Sequence, residues 1–187
     1  LWTMALFLAA STTAFALYLS PIPLMLRIQK DGTTGSFSVL PFAAMTLNSF
    51  VWMIYGILTR QSFAIINAVG TIFGLGYLVI YCKHAANLRN TLAVLIGMCL
   101  ATTFVFINYV LRASSFERSS SMSTSVEAVT GATNGALANR VGTVGVIVSV
   151  YYFAAPFATV REVVRTKNAV SLPFPIILGN MINGGLW

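Results

Sequence analysis

The chain has 187 residues, of which 57% are hydrophobic and only 8% are charged. A soluble globular domain carries roughly 25% charged residues, so the few charges here cannot cover the surface of a soluble protein of this size. The net charge of +7 comes from lysines and arginines at the ends of apolar runs, which excludes a clustered nucleic-acid-binding surface. Together with a mean hydropathy of +0.83, this composition predicts an integral membrane protein.

Apolar stretches follow one another along the chain, each close to the ~20 residues that a helix needs to cross a bilayer. No charged residue lies in the central part of any of them. Besides five complete stretches, a sixth apolar stretch begins near Ala169 and stops at Trp187 in the middle of its pattern, so we expect a longer natural protein. The five complete stretches are residues 2–26, 37–58, 62–82, 91–111 and 141–160.

The polar segments between these stretches predict the orientation of the chain. Most are short, but residues 112–140 are rich in serine, threonine and glycine and predict a flexible surface linker. Of the 11 lysines and arginines, seven lie in the loops after stretches 1, 3 and 5, and four lie in the other loops. By the positive-inside rule, the side with seven is cytoplasmic and the N-terminus faces outward.

The sequence also repeats itself, because four features of stretches 1 and 2 return in stretches 5 and 6. We therefore predict two parallel three-helix units joined by a linker helix, with the last helix missing from this chain. The predicted boundaries are 1–82 for the first unit, 83–111 for the linker helix, 112–140 for the loop and 141–187 for the second unit. The repeated pairs are Pro21 and Pro156, Asn48 and Asn183, and Trp52 and Trp187, which share one offset along the sequence, and Pro41 and Pro173, whose offset is slightly shorter.

The ordered motifs SPIP and LPF, followed by APF, VVRTK and a second LPF, resemble the SWEET family of sugar transporters. The fold named above is the one that this resemblance implies, since SWEET proteins are built from parallel repeats. The resemblance implies a bidirectional, facilitative sugar uniporter of the plasma membrane that works by alternating access. Its partners would be a mono- or disaccharide and the lipid bilayer, with association into homo-oligomers left open. No cofactor is implied.

Four prolines match the family's proline tetrad. A proline inside a helix removes a backbone hydrogen bond and kinks the helix, and a membrane tolerates this only where neighbouring groups pair with the freed carbonyl. The resemblance therefore implies hinges at these positions. An alternative for the second and fourth is that they mark the starts of helices, where proline is well accepted. The four are Pro21, Pro41, Pro156 and Pro173.

Asn67 is a polar residue in the apolar sequence AIINAVGTIFG. A buried carboxamide needs partners, and it offers both donors and acceptors to a sugar hydroxyl. The resemblance makes Asn67 a substrate-binding residue. The structural alternative is a hydrogen bond between helices.

Two tryptophans occupy equivalent places in the repeats. An indole stacks on the apolar face of a sugar while its N–H donates a hydrogen bond, so Trp52 and Trp187 are predicted to bind substrate, although single tryptophans also populate the membrane interface. Asn48 and Asn183, one helical turn earlier, are further candidates for the pocket. Tyr55 matches a family position near the extracellular gate.

Other classes of function find less support. The chain has one histidine and no paired carboxylates, which argues against enzyme chemistry, and Cys82 and Cys99 lack the neighbours of a zinc or disulfide site. Coupled carriers usually need an ionisable residue within the membrane, and the stretches contain none centrally. The alternatives to sugar uniport are a PQ-loop carrier of amino acids or another small solute, and a membrane receptor or scaffold without transport.

Overall fold

The structure, a computed structural model, describes residues 2–107 and 135–154. Within these two ranges the regular elements are helices, and no β-strand is present. The helices are α1 (Trp2–Leu19), α2 (Ile22–Asp31), α3 (Leu40–Leu58), α4 (Phe63–His84), α5 (Leu88–Val105) and α6 (Gly135–Ala154).

Four helical segments are long and apolar enough to cross a membrane: Phe7–Asp31, Leu40–Leu58, Phe63–His84 and Gly135–Ala154. The predicted all-α membrane fold is therefore confirmed, and the chain is an integral, multi-pass membrane protein. The apolar part of α5, Leu88–Phe104, is shorter, and residues 108–111 of the predicted fourth stretch lie outside the described residues. The arrangement of the repeats and their boundaries stay predictions.

The first predicted stretch is broken at Pro21, where α1 ends and α2 begins. Proline has no N–H to donate to the carbonyl four residues earlier, which is that of Leu17. The Ser20 hydroxyl donates to this carbonyl at 2.8 Å instead. On the next residue, the Tyr18 carbonyl accepts a hydrogen bond from the Tyr77 hydroxyl of α4. The Leu17 and Tyr18 carbonyls at the break are thus paired, as an apolar environment requires.

Helix α2 extends further toward its C-terminus than hydropathy indicated. We predicted a polar loop from residue 27, but α2 runs to Asp31, with Met25 and Ile28 buried and an exposed Arg27–Asp31 ion pair at 3.3 Å. An amphipathic helix has too little apolar character for a hydropathy scan, which explains the difference. The helix ends at Gly32, whose φ of 69° is a left-handed cap.

Helix α4 packs against α1, α2 and α3. Small residues allow this close approach: a Cβ atom at Gly70 would meet the Tyr18 ring and the Ser49 hydroxyl, and one at Gly74 would meet Thr46. A Cβ atom at Gly76 would face open space. The glycines of α4 therefore support close helix packing at two positions of three.

A tight turn joins α3 to α4. Arg60 has a φ of 54°, its N–H donates to the Ile57 carbonyl at 3.2 Å, and the Gln61 N–H donates to the Gly56 carbonyl at 2.8 Å. This is the Schellman pattern of a helix C-terminus, with an arginine at the position that usually holds glycine. The turn brings Ala64 to 2.9 Å from where a Cβ of Gly56 would lie, so α3 and α4 approach closely at this end.

Helix α6 packs on the other side of α3. Val51 of α3 and three valines of α6, Val141, Val144 and Val148, form a buried cluster. Helix α6 begins at Gly135, earlier than the residue 141 predicted from hydropathy, so part of the predicted 112–140 loop is helical. The contact with α3 puts the start of the predicted second unit directly against the first.

Candidate functional site

A cavity of about 560 Å³ lies between α1, α3, α4 and α6. We call it the central cavity; its size is within the roughly 300–1,000 Å³ of small-molecule sites. Four residues predicted from the sequence line it together: Asn48, Trp52, Tyr55 and Asn67. The other two predicted binding residues, Trp187 and Asn183, lie outside the described residues.

Asn67 is half-buried on α4, and its carboxamide is held at both ends. Its Nδ2 donates to the Phe63 carbonyl at 3.0 Å, and its Oδ1 accepts a long hydrogen bond of 3.5 Å from the Tyr18 hydroxyl. A carboxamide has two donor and two acceptor positions. One of each is therefore left for a ligand in the cavity, and a sugar hydroxyl, which both donates and accepts, matches this pair.

Trp52 and Asn48 are joined through a residue that the sequence analysis did not single out. The Trp52 indole N–H donates to the Ser149 hydroxyl at 2.9 Å, and this hydroxyl donates to Asn48 Oδ1 at 2.7 Å. The three side chains connect α3 with α6 across one edge of the central cavity. A serine in the apolar run VGVIVSVYY is the only sequence signal for this contact.

Aromatic rings form one wall of the cavity. Trp52 meets Tyr55 edge-on, with ring centroids 5.4 Å apart and planes at 84°. Tyr55 stacks on Phe63 at 6.0 Å and 17°. Such rings offer apolar faces to the C–H groups of a sugar, beside the polar groups of Asn67 and Asn48.

The faces of α1 and α6 that line the cavity are related by the spacing of the sequence repeat. Each of the three α1 positions has a counterpart on α6 at the same offset that separates Trp52 from Trp187, and all six residues line the cavity. This relation is the one expected if α1 and α6 are equivalent helices of two repeats. The pairs are Ala14 and Ser149, Leu17 and Tyr152, and Tyr18 and Phe153.

The two described prolines of the tetrad differ in local geometry. Pro21 lies at the break between α1 and α2. Pro41 lies in the first turn of α3, where the missing N–H would have had no partner within the helix. Pro156 and Pro173 lie outside the described residues. The hinge role of all four stays a prediction.

The described lining of the cavity carries no Asp, Glu, Lys or Arg. In the described ranges, no group of three His, Cys, Asp or Glu side chains comes together as a metal site. The arrangement presents neutral hydrogen-bonding groups beside aromatic faces, which suits an uncharged polar ligand.

Comparison with known families gives a match over most of the chain. The model of the family described as "Sugar efflux transporter for intercellular exchange" matches residues 4–89 and 139–187. The gap between the two matched ranges, residues 90–138, includes most of the predicted loop and most of the predicted linker helix.

Curated relatives match with modest identity along most of the chain. It is 28% identical over 188 residues to the bidirectional sugar transporter SWEET11 of Arabidopsis thaliana, covering 100% of this chain and 60% of that protein. It is 25% identical over 178 residues to SWEET7 of the same plant, covering 93% and 63%. The sugar transporter SWEET1 of Drosophila pseudoobscura pseudoobscura is 30% identical over 164 residues, covering 86% and 63%. The chain thus spans roughly three fifths of the length of these relatives.

Proposed function

Because this chain belongs to the SWEET family of sugar efflux transporters, we propose that it carries a mono- or disaccharide across the membrane by facilitated diffusion. The observation that carries this proposal is the central cavity, in which neutral amide and hydroxyl groups lie beside aromatic rings. Its described lining holds no charged side chain, and a coupled carrier usually needs one within the membrane. Uniport in both directions is the mechanism that follows.

Asn67 and Trp52 would recognise the sugar together. The unused donor and acceptor of Asn67 pair with sugar hydroxyls, and the rings of Trp52 and Tyr55 contact the C–H face of the sugar. Asn48 holds the Trp52 indole in place through Ser149. In the proposed repeat, Trp187 and Asn183 supply the opposite side of the pocket, and Tyr55 closes its outer end.

Alternating access would use the prolines as hinges. The break at Pro21 divides the first span into two helices. Beside the break, the Leu17 and Tyr18 carbonyls accept hydrogen bonds from hydroxyl groups. Bending there sacrifices no further backbone hydrogen bond. We assign the corresponding role in the second repeat to Pro156, and a supporting role at the helix starts to Pro41 and Pro173. The proposed location is the plasma membrane, with the N-terminus outside.

Transport by the full-length protein in lipid vesicles tests this function. We expect radiolabelled glucose or sucrose to equilibrate across the membrane, without accumulation and without a response to a protonophore. Asn67→Ala should lower the initial rate at least tenfold, because it removes both unused hydrogen-bonding positions from a desolvated site. Asn90→Ala, an exposed asparagine at the start of α5, is the matched control and should transport normally.

Three results would contradict the proposal. Accumulation that collapses with the protonophore would reject uniport. Normal transport by Asn67→Ala would show that the Asn67 amide does not bind the sugar and only connects helices. A wild-type protein that moves amino acids but no sugar would reject the substrate class.

A further inference from the structure

We propose that Tyr18 is a positioning residue that ties the Asn67 carboxamide in the central cavity to the break in the first span. The inference rests on the proposed function, since it takes Asn67 as a sugar-binding group. Tyr18 lies three residues before Pro21 and is almost fully buried, with 8% of its surface exposed. It lines the cavity with its side chain and borders the break with its backbone.

Helix α4 holds Tyr18 at two different points. The Tyr18 hydroxyl donates to Asn67 Oδ1, and the Tyr18 carbonyl accepts from the Tyr77 hydroxyl. The Tyr18 ring and the Ser49 hydroxyl of α3 both lie directly on Gly70. Tyr18 is therefore bonded both to the proposed sugar-binding amide of Asn67 and, beside the break, to Tyr77 of α4.

The two bonds to α4 differ in geometry. The distance from the Tyr18 hydroxyl to Asn67 Oδ1 is 3.5 Å, whereas hydroxyl hydrogen bonds are usually close to 2.7–2.8 Å. A bond this long is weak, and it leaves the second acceptor position of Oδ1 open to a sugar hydroxyl. The bond from the Tyr77 hydroxyl goes to the backbone carbonyl of Tyr18 and is buried, so it does not depend on the Tyr18 side chain.

The bond from Tyr18 also orients the carboxamide. With Nδ2 donating to the Phe63 carbonyl, a donor at the other end fixes which atom of the amide faces which side. Without the Tyr18 hydroxyl, Oδ1 has no other donor among the described residues, and the amide loses this constraint. The orientation that a sugar meets is therefore set by α1 as well as by α4.

Sugar binding and the bend of the first span are then linked. A sugar at Asn67 binds an amide whose orientation depends on the last turn of α1 lying against α4. A ligand shifts a conformational equilibrium by its difference in affinity for the two states. Here the difference comes from the bond between Tyr18 and Asn67, which orients the amide only when the first span is docked on α4.

The linkage is confined to the first repeat. The position that the repeat pairs with Tyr18 is Phe153, which also lines the cavity but has no hydroxyl. A lone tyrosine in an apolar run gives little sequence signal, and only the structure shows that its partner is the candidate binding residue.

Tyr18→Phe and Tyr77→Phe, made in the full-length protein in vesicles, test the two points of attachment. Tyr18→Phe should raise the sugar concentration for half-maximal exchange roughly 2- to 10-fold, the factor that one neutral hydrogen bond contributes, without lowering the maximal rate. Tyr77→Phe should leave the half-maximal concentration unchanged and alter the maximal rate at least twofold. Tyr81→Phe, on the same helix with its hydroxyl on the Phe37 carbonyl, is the matched control and should change neither.

The readout separates positioning from structure and from the proposed function. The affinity for radiolabelled sugar is measured on purified, monodisperse protein, which contains only folded molecules. A low yield of the Tyr18→Phe protein therefore does not change the measured affinity. Unchanged affinity in Tyr18→Phe, or an unchanged maximal rate in Tyr77→Phe, would overturn the inference while leaving sugar transport intact. A wild-type protein that binds and exchanges no sugar would overturn the proposed function, and the inference with it.

Discussion

The absence of a Cβ atom at two glycines, Gly70 and Gly74, allows α4 to approach its neighbouring helices closely. At Gly70 the Tyr18 ring and the Ser49 hydroxyl occupy the place of a Cβ, and at Gly74 the threonine at position 46 does so. In a bilayer, close packing of this kind replaces the hydrophobic effect as the force that joins helices. These glycines therefore allow α4 to pack closely against α1 and α3.

Gly74→Ala should destabilise the folded protein by about 1–3 kcal/mol, the usual cost of inserting a methyl group into a packed interface. The new Cβ would meet both the side chain and the backbone of Thr46, so neither helix can yield without moving. Gly76→Ala, two residues away in open space, is the control. Thermal unfolding in detergent should show a lower midpoint for the first variant only; equal midpoints would show that the helices adjust freely.

Ser149 matters because it is shared by two partners. In Ser149→Ala, the Trp52 indole N–H and Asn48 Oδ1 both lose the partner seen in the structure. We expect a loss of stability of about 1–3 kcal/mol, since unpaired polar groups cost more than the bond itself contributes. Thr143→Ala, an exposed hydroxyl on the same helix that bonds only the Asn139 carbonyl, should be nearly neutral in the same unfolding measurement. A Ser149→Ala midpoint equal to that of the control would show that the two partners find other bonds.

At the scale of an element, the break in the first span is the most informative feature. Pro21→Ala restores an N–H that can donate to the Leu17 carbonyl, which now accepts from the Ser20 hydroxyl. The straightened helix should transport more slowly, by a factor of three or more relative to its surface expression, if bending at this point is part of each cycle. The measurement is the exchange rate per folded transporter in vesicles.

Pro23→Ala is the control for this prediction. Pro23 lies in the first turn of α2, where proline is well accepted, although it too lacks the N–H that would donate to the carbonyl four residues earlier, that of Leu19 at the end of α1. Its replacement leaves Pro21 in place and should slow exchange less than Pro21→Ala does. A normal exchange rate for Pro21→Ala would contradict the hinge, and equal slowing in both variants would point to damage of the fold instead.

Hydropathy predicted some elements well and others poorly, for identifiable reasons. The predicted stretches 37–58 and 62–82 correspond to Leu40–Leu58 and Phe63–His84, because these helices are apolar on all sides. It missed the second half of α2, which carries Arg27 and Lys30 on an exposed face, and it did not place the break at Pro21. Propensity and hydropathy average over a window and do not register where one backbone bond is lost.

The candidate site was predicted in part. Asn48, Trp52, Tyr55 and Asn67 were selected from the repeat and the family resemblance, and the structure brings them to one cavity. Tyr18 and Ser149 were missed. Their importance depends on partners from other helices, and a single sequence does not reveal which faces of its helices meet.

For the whole molecule, the basic residues of the described part concentrate at one end of the bundle. The N–H of Thr34, in the loop after α2, donates to the His84 carbonyl at the end of α4, at 3.3 Å. Lys83 lies at this same end, as do the two basic residues of α2. The other end carries two basic residues, Arg60 in the turn and Arg140 near the start of α6. This asymmetry favours the cytoplasm for the basic end.

Cysteine labelling in intact cells tests this orientation, after Cys82 and Cys99 have been replaced by serine. Gln61→Cys, in the exposed turn between α3 and α4, should react with a membrane-impermeant thiol reagent. Arg89→Cys, exposed at the start of α5, should react only after permeabilisation. The reverse pattern would invert the topology, and labelling of both sites in intact cells would point to a mixed orientation.

The paired faces of α1 and α6 have a consequence for how a sugar sits in the cavity. Ala14 corresponds to Ser149, and Tyr18 to Phe153, so each hydroxyl of these pairs belongs to only one helix. A cavity with true two-fold symmetry would hold an unsymmetrical molecule in two poses of equal energy. In the proposed duplication, the differences between the paired residues make one of the two poses lower in energy, so the sugar ring binds in a single orientation.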